Sequence, residues 1–134
     1  MNEQSTLEVV AAEIRATLGI AGDAPIRSES LLFYDLSFTS LDMLDLLFRV
    51  ESHFQIAIPE GTFYELTKGV LADNDFAQEG MLTPKGRERL LVLLYDSPPK
   101  IFPERIHIKT FLRYCTVGAI VRLVDYKLKM KVRD

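Results

Sequence analysis

An apolar stretch directly after Ser40 constrains the fold of this chain more than any other feature. On a helical wheel of about 100° per residue, its eight apolar residues fill most of the circumference, and its polar residues, apart from Glu51, form a narrow strip. The pattern predicts a helix over residues 41–54, which Pro59 separates from the next part of the chain. So wide an apolar arc indicates either burial on more than one side or an exposed apolar patch that a partner covers. The apolar residues are Leu41, Met43, Leu44, Leu46, Leu47, Phe48, Val50 and Phe54.

Weaker helical patterns lie on both sides of this stretch. Apolar residues at helical spacing predict a first helix over residues 5–18, and Thr116 is a natural N-cap for a last helix. Thr83 and Pro84 predict another helix start, because proline tolerates the first helical position. Residues 20–39 form a long loop that is apolar enough to pack down, and residues 73–80 are typical of a polar loop. We therefore expect an all-α fold.

Composition and charge bound the class of protein. The chain has 134 residues, 48% of them hydrophobic, which fits one globular domain, and it has no apolar run of about 18 residues that would span a membrane. The first ten residues lack the pattern of a secretory signal, and the single cysteine, Cys115, fits a reducing cytoplasmic setting. Residues 1–65 hold 11 acidic and 3 basic side chains, whereas residues 66–134 hold 8 and 13. The acidic half should attract basic partners, and the basic half either pairs with it or forms a surface of its own.

Ser40 has two physical interpretations. A serine before a helix presents its hydroxyl beside unpaired backbone N–H groups, where the helix dipole favours a bound phosphate. Alternatively, Ser40 or Thr39 is only an N-cap, and Asp42 and Asp45 complement the dipole. On the local pattern alone the capping role is the better interpretation, because such caps are common.

The surrounding residues favour the first interpretation. Residues 35–42, read as Asp-Leu-Ser-Phe-Thr-Ser-Leu-Asp, resemble the attachment motif of acyl carrier proteins, and residues 44–60 are similar to that family's second helix and the turn after it. The resemblance implies an acyl-carrier-like four-helix bundle in which a phosphopantetheinyl transferase attaches phosphopantetheine to Ser40. Asp35, Thr39 and Leu41 would then be the motif around the attachment site. The chain would be a non-catalytic carrier on which partner enzymes act.

Two departures from the family pattern indicate a specialised member. Fatty-acid carriers usually have aspartate before the serine, where this chain has Thr39. Residues 61–109 have no counterpart in the compact family fold, so we expect a single carrier domain over residues 1–134 with these residues as an inserted helical segment. By resemblance, the second helix is the surface on which partner enzymes dock, through Asp42, Asp45 and an apolar contact from Met43.

The resulting prediction is an acyl carrier protein for fatty-acid, lipid or polyketide-type biosynthesis. Its partners would be the transferase and the enzymes that load, transfer or extend the acyl group, and we expect a monomer. One alternative is a free-standing peptidyl carrier that holds an amino acid. Another class is a nucleic-acid-binding regulatory domain, because residues 82–91 are similar to a winged-helix segment and contain Lys85, Arg87 and Arg89. The acidic chain makes nucleic acid the less expected partner.

The remaining reactive side chains are weak candidates. His53 and His107 stand apart in sequence without zinc-ligand spacing, so we predict no metal site. Cys115 has the pattern of a buried thiol rather than a nucleophile. A dyad of Ser40 and His53 is excluded by distance, since the two lie about 20 Å apart along one helix.

Overall fold

The computed structural model describes the backbone of residues 3–133 and the side chains of residues 4–131. Most of the described chain is helical, which confirms the predicted all-α class. Two 3-10 helices (Pro99–Ile101 and Ile108–Tyr114) and a small antiparallel hairpin complete it. The elements are α1 (Glu3–Leu18), α2 (Ser40–Phe54), α3 (Thr62–Lys68), α4 (Asp73–Phe76), β1 (Ala77–Gln78), β2 (Met81–Leu82), α5 (Pro84–Leu93) and α6 (Val117–Arg133).

The centre of the fold is the packing of α1 against α2 and α6. Each of these helices turns one apolar face inward, at the spacing of three and four residues that the sequence shows. A hydrogen bond of 3.0 Å from Thr6 Oγ1 to Asp125 Oδ1 joins α1 to α6. The buried residues are Val10, Ala11 and Ile14 of α1, Met43, Leu46, Val50 and Phe54 of α2, and Val117, Ile120, Leu123 and Val124 of α6.

The α1–α2 loop is fastened to the start of α6. Leu31 forms an isolated bridge with Thr116, and Leu32 N–H donates to the carbonyl of Cys115 at 3.1 Å. Leu31 and Leu32 are consequently buried, which confirms that this loop packs down. The loop therefore ends at α2 from a fixed position rather than as a free tether.

Residues 69–115, here called the added segment, join α3 to α6 and share the hydrophobic core of the fold. Phe76, which is fully buried, meets Tyr64 of α3 edge to face at 5.1 Å between ring centroids and Phe111 at 6.0 Å. The prediction of a polar loop at residues 73–80 is therefore wrong. One large aromatic ring among polar neighbours supplies the burial that orders α4 and the hairpin.

The start of α5 agrees with the sequence. Thr83 is its N-cap and accepts a hydrogen bond from Gly86 N–H at 3.0 Å, while Pro84 takes the first helical position. Gly86 is buried, and a side-chain carbon there would collide with the carbonyl oxygen of Phe76. The absence of a side chain at Gly86 thus lets α5 approach α4 closely.

A half-buried polar cluster ties the added segment to α6. Arg122 of α6 donates to both carboxylate oxygens of Asp96, at 2.9 and 3.1 Å, and to the carbonyl of Leu93. Thr116 Oγ1 donates to Asp96 at 2.7 Å. Burial alone would raise the pKa of Asp96, but the hydrogen bonds from Arg122 and Thr116 and the charge of Arg122 outweigh it, so this pKa lies below its usual range.

Where the structure describes side chains, no ion pair joins the acidic half of the chain to the basic half. Among residues 4–131, the ion pairs join Arg27 to Glu29, Arg49 to Asp45, Lys68 to Asp73 and Arg122 to Asp96, and none of them links residues 1–65 to residues 66–131. The charge of each half is therefore carried at its own surface. Within the described chain, no helix is both long and apolar enough to cross a lipid bilayer.

Candidate functional site

Ser40 is the first residue of α2 and lies exposed at the surface. The residue that caps the helix is Thr39, whose hydroxyl accepts a hydrogen bond from Asp42 N–H at 3.2 Å. The Asp42 carboxylate accepts in return from Thr39 N–H at 2.9 Å, which completes a capping box. The Ser40 hydroxyl is therefore not needed to cap the helix. The sequence left open whether Ser40 caps the helix or carries a phosphate group, and the structure assigns the capping to Thr39.

The loop before Ser40 is held by contacts that explain two more residues of the sequence motif. Asp35 accepts a hydrogen bond from Leu31 N–H at 2.7 Å. Phe38 is buried, and its N–H donates to the carbonyl of Leu32 at 3.0 Å. Between them Ser37 adopts a left-handed backbone with φ of 57°. These contacts turn the chain so that Phe38 points into the core while Thr39 and Ser40 face solvent.

Helix α2 has an exposed apolar stripe, which we define as Leu41, Leu44 and Phe48. Their side chains are 75%, 64% and 71% exposed, respectively. Spacing of three and four residues places them on one face of the helix, and that face begins directly after Ser40. The structure thus favours the patch alternative left open by the wide apolar arc.

Met43 has a different place from the one expected. It is 2% exposed and belongs to the main core. The prediction that Met43 offers an apolar contact to partners is corrected, because the two-residue offset from Leu41 turns its side chain about 200° around the helix. The exposed apolar side chains at this end of α2 are those of Leu41 and Leu44.

The two acidic residues predicted for docking are both engaged within the chain. Asp42 takes part in the capping box. Asp45 accepts hydrogen bonds from Arg49 Nε at 2.8 Å and from Thr17 Oγ1 of α1 at 2.9 Å. The Arg49 hydrogen bond, followed by that of Thr17, holds the pKa of Asp45 below its usual range. Asp45 is thus a paired carboxylate at the helix surface.

The other candidate side chains form no reactive group. Cys115 is fully buried, and burial raises the pKa of its thiol, which confirms the prediction of an inert thiol. His53 is exposed against the edge of Phe54, and His107 accepts a hydrogen bond from Lys109 N–H through Nδ1 at 3.1 Å. Among the described residues, no group of three or more histidine, cysteine, aspartate or glutamate side chains is placed to hold a metal ion.

The winged-helix-like segment has no basic helix in front of it. The hairpin formed by β1 and β2 precedes α5, as a wing would, but the element before it is the four-residue α4, which contains Asp73 and Asp75. Arg89 of α5 is directed to the carbonyl of Thr67 at 3.1 Å. The segment therefore packs α5 against α3 rather than presenting a recognition helix.

Comparison with known protein families is informative for the first half of the chain. The family model described as "Phosphopantetheine attachment site" matches residues 8–68. The matched range begins within α1, includes Ser40 and all of α2, and ends with α3. Neither the curated proteins nor the solved structures give a significant match. The added segment and α6 lie outside the matched range.

Proposed function

We propose that residues 8–68, which the family model of a phosphopantetheine attachment site matches, form a carrier domain and that Ser40 is its attachment residue. The domain is the site of covalent phosphopantetheine attachment. The observation that carries the choice of residue is the position of Ser40, exposed at the head of α2 while Thr39 performs the capping. An exposed hydroxyl without a capping role is accessible to a transferase.

The local structure fits a phosphodiester at this position. The backbone N–H groups of Ser40 and Leu41 belong to the first turn of α2, where N–H groups have no partner within the helix. The same helix end carries the positive part of the helix dipole, which favours a negative phosphate. Asp35 and Phe38 hold the preceding loop and so fix the direction in which Ser40 points. When bound, the group supplies a terminal thiol that carries cargo as a thioester.

We further propose that the chain is a carrier on which other enzymes act, rather than a catalyst. A carrier domain interacts with a phosphopantetheinyl transferase and with synthase or transfer enzymes. Tethering keeps the cargo at high effective concentration for such partners. We propose α2 as their docking surface, supported by the exposed stripe that begins beside Ser40. A monomeric state and a cytoplasmic setting are part of the same proposal, the latter supported by the unpaired Cys115.

The cargo that we propose is an acyl group, in fatty-acid, lipid or polyketide-type biosynthesis. The proposal rests on the resemblance of residues 35–60 to acyl carriers. An amino acid is the competing cargo. Mass spectrometry of protein purified from its native host distinguishes them, because the mass of the group released from the thioester identifies it as a fatty or other acyl chain or as an amino acid.

We propose that the added segment enlarges the carrier domain without forming a separate one. The family match includes α3, so the proposed addition begins after Lys68, later than the sequence boundary at residue 61. Phe63 of α3, Phe76 and Phe111 form adjoining ring pairs across this boundary. A shared aromatic core supports one folding unit over residues 1–134.

The attachment is tested by intact-mass spectrometry of the apo protein after incubation with coenzyme A and a phosphopantetheinyl transferase. We expect a mass increase of one phosphopantetheinyl group in the wild type and none in Ser40→Ala. Ser52→Ala is the matched control, because Ser52 is an exposed serine of the same helix and should leave the increase unchanged.

A second pair of variants separates attachment from capping. Ser40→Ala should leave the free energy of unfolding unchanged within about 0.5 kcal/mol, since Thr39 makes the cap. Thr39→Ala should cost about 1 kcal/mol and still be modified. An adduct on Ser40→Ala, or no adduct on the wild type with several transferases, would refute the proposal.

A further inference from the structure

Any enzyme that modifies Ser40 must cover the surface beside it, and that surface includes the start of the apolar stripe. Leu41 follows Ser40 directly, and Leu44 and Phe48 continue the same face toward the middle of α2. All three are at least 64% exposed. The partner chemistry that this surface recognises depends on the charges along its two flanks.

The carboxylates on those flanks are not equivalent. Glu51 lies on one flank but is turned toward the loop after α2, where it accepts a hydrogen bond from Ile58 N–H at 2.6 Å. Asp45 lies on the other flank, between the stripe and Arg49 on the helical wheel. Asp42 lies farther around the helix, within the capping box. Asp45 is therefore the carboxylate best placed to meet a cation on an enzyme that covers the stripe.

Arg49 counteracts the charge of Asp45. Its Nε donates to Asp45 Oδ2 at 2.8 Å, and Thr17 donates to the same oxygen at 2.9 Å. The two side chains of the ion pair are 40% and 47% exposed, so an approaching enzyme meets both charges together. A lysine or arginine of that enzyme would gain little from Asp45, because Arg49 repels it at nearly the same distance.

We propose that Arg49 is a specificity-determining residue of the docking surface. By pairing with Asp45 it weakens the acidic flank of the stripe, so that α2 favours partner enzymes that dock through an apolar patch. Enzymes whose docking depends on a cluster of lysine and arginine side chains are disfavoured. This inference rests on the proposed attachment at Ser40 and adds to it the chemistry of the partner.

The test measures kcat/KM for loading of the apo protein by a transferase whose docking surface is rich in lysine and arginine. Arg49→Gln should raise kcat/KM about two- to fivefold near 20 mM salt, and the gain should vanish near 500 mM salt, where charges are screened within a few ångströms. Arg27→Gln is the matched control. It removes the same charge from an exposed ion pair with Glu29 in the α1–α2 loop and should leave kcat/KM unchanged.

A second arm uses a transferase with an apolar docking surface. Phe48→Gln should lower its kcat/KM by about tenfold at both salt concentrations, since the lost contact is apolar. Equal kcat/KM values for Arg49→Gln and Arg27→Gln at low salt, with adduct formed on both, would refute the proposed role of Arg49 but not the attachment at Ser40. Absence of adduct from every variant and the wild type would overturn the attachment proposal itself, and the inference with it.

Discussion

Replacing Phe76 by alanine tests whether the added segment is part of the carrier fold. Phe76 is fully buried and pairs with Tyr64 at 5.1 Å and with Phe111 at 6.0 Å. Loss of a buried phenyl ring costs about 1.5–3 kcal/mol in transfer free energy, and the two ring pairs add about 0.5–1.5 kcal/mol each. Allowing for partial collapse of the cavity, we expect Phe76→Ala to lower the free energy of unfolding by about 3–5 kcal/mol.

The matched control is Phe48→Ala, which removes the same ring from the exposed stripe. Because Phe48 is 71% exposed, less than a third of its surface is buried. The corresponding loss is therefore at most about 0.5–1 kcal/mol. The comparison isolates burial, because the chemical change is identical in the two variants.

Urea unfolding followed by far-UV circular dichroism and by tyrosine fluorescence provides the measurement. If residues 1–134 fold as one unit, both probes should show one coincident transition in each protein, with the midpoint of Phe76→Ala lowered. Thermal melting should show a corresponding decrease of about 10–20 °C for a chain of this size. A loss below about 1 kcal/mol, or a separate early transition for the added segment, would refute the shared core.

Two further predictions concern contacts around the added segment. Gly86→Ala should destabilise the chain by about 1–3 kcal/mol although alanine favours helices, because a side-chain carbon would collide with the Phe76 carbonyl. Gly22→Ala, with open space around it, should change stability by less than about 1 kcal/mol, and equal effects in urea unfolding would contradict the reasoning. Folding lowers the pKa of Asp96, so the charged carboxylate adds to the free energy of unfolding. This contribution is fully present above the unfolded-state pKa of about 3.9 and is lost as pH falls through the lower folded-state pKa. The stability of Asp96→Asn should therefore fall less steeply below about pH 4 than that of the wild type, and parallel pH profiles would count against it.

The sequence predicted those parts of the fold whose signals are local. The end of α2 at Phe54, the cap at Thr83 and the cap at Thr116 all follow from residues within one or two helical turns, and the structure agrees with each, while α2 begins one residue earlier than predicted, at Ser40. The cap of α3 is different. Its N-cap is Gly61, which has no side chain that could cap the helix, and the hydroxyl of the neighbouring Thr62 donates to the carbonyl of Pro59 at 2.6 Å. Local pattern therefore identified helices more reliably than it identified every cap.

The added segment was less predictable because its order depends on contacts that are distant in sequence. In the sequence Phe76 stands among mostly polar residues, but in the fold its burial depends on Phe111, which lies on another element. His107, which lies outside the hairpin, likewise forms an isolated antiparallel bridge with Met81 of β2. A pattern read from sequence neighbours of Phe76 or Met81 includes neither Phe111 nor His107. The role of Gly86 is likewise not predictable from the sequence, since a single glycine in a helical pattern gives no sign of which backbone it will approach.

The exposed stripe on α2 illustrates the same separation between local and tertiary information. Met43, Leu46, Val50 and Phe54 lie on one side of the helical wheel, and the stripe of Leu41, Leu44 and Phe48 lies nearly opposite. Hydropathy alone treats the two faces alike. Packing distinguishes them, because α1 and the rest of the core cover only one face, and the other borders the loop that presents Ser40. An apolar face left uncovered beside an exposed serine exposes hydrophobic surface to water, a cost that docking of a partner enzyme would offset.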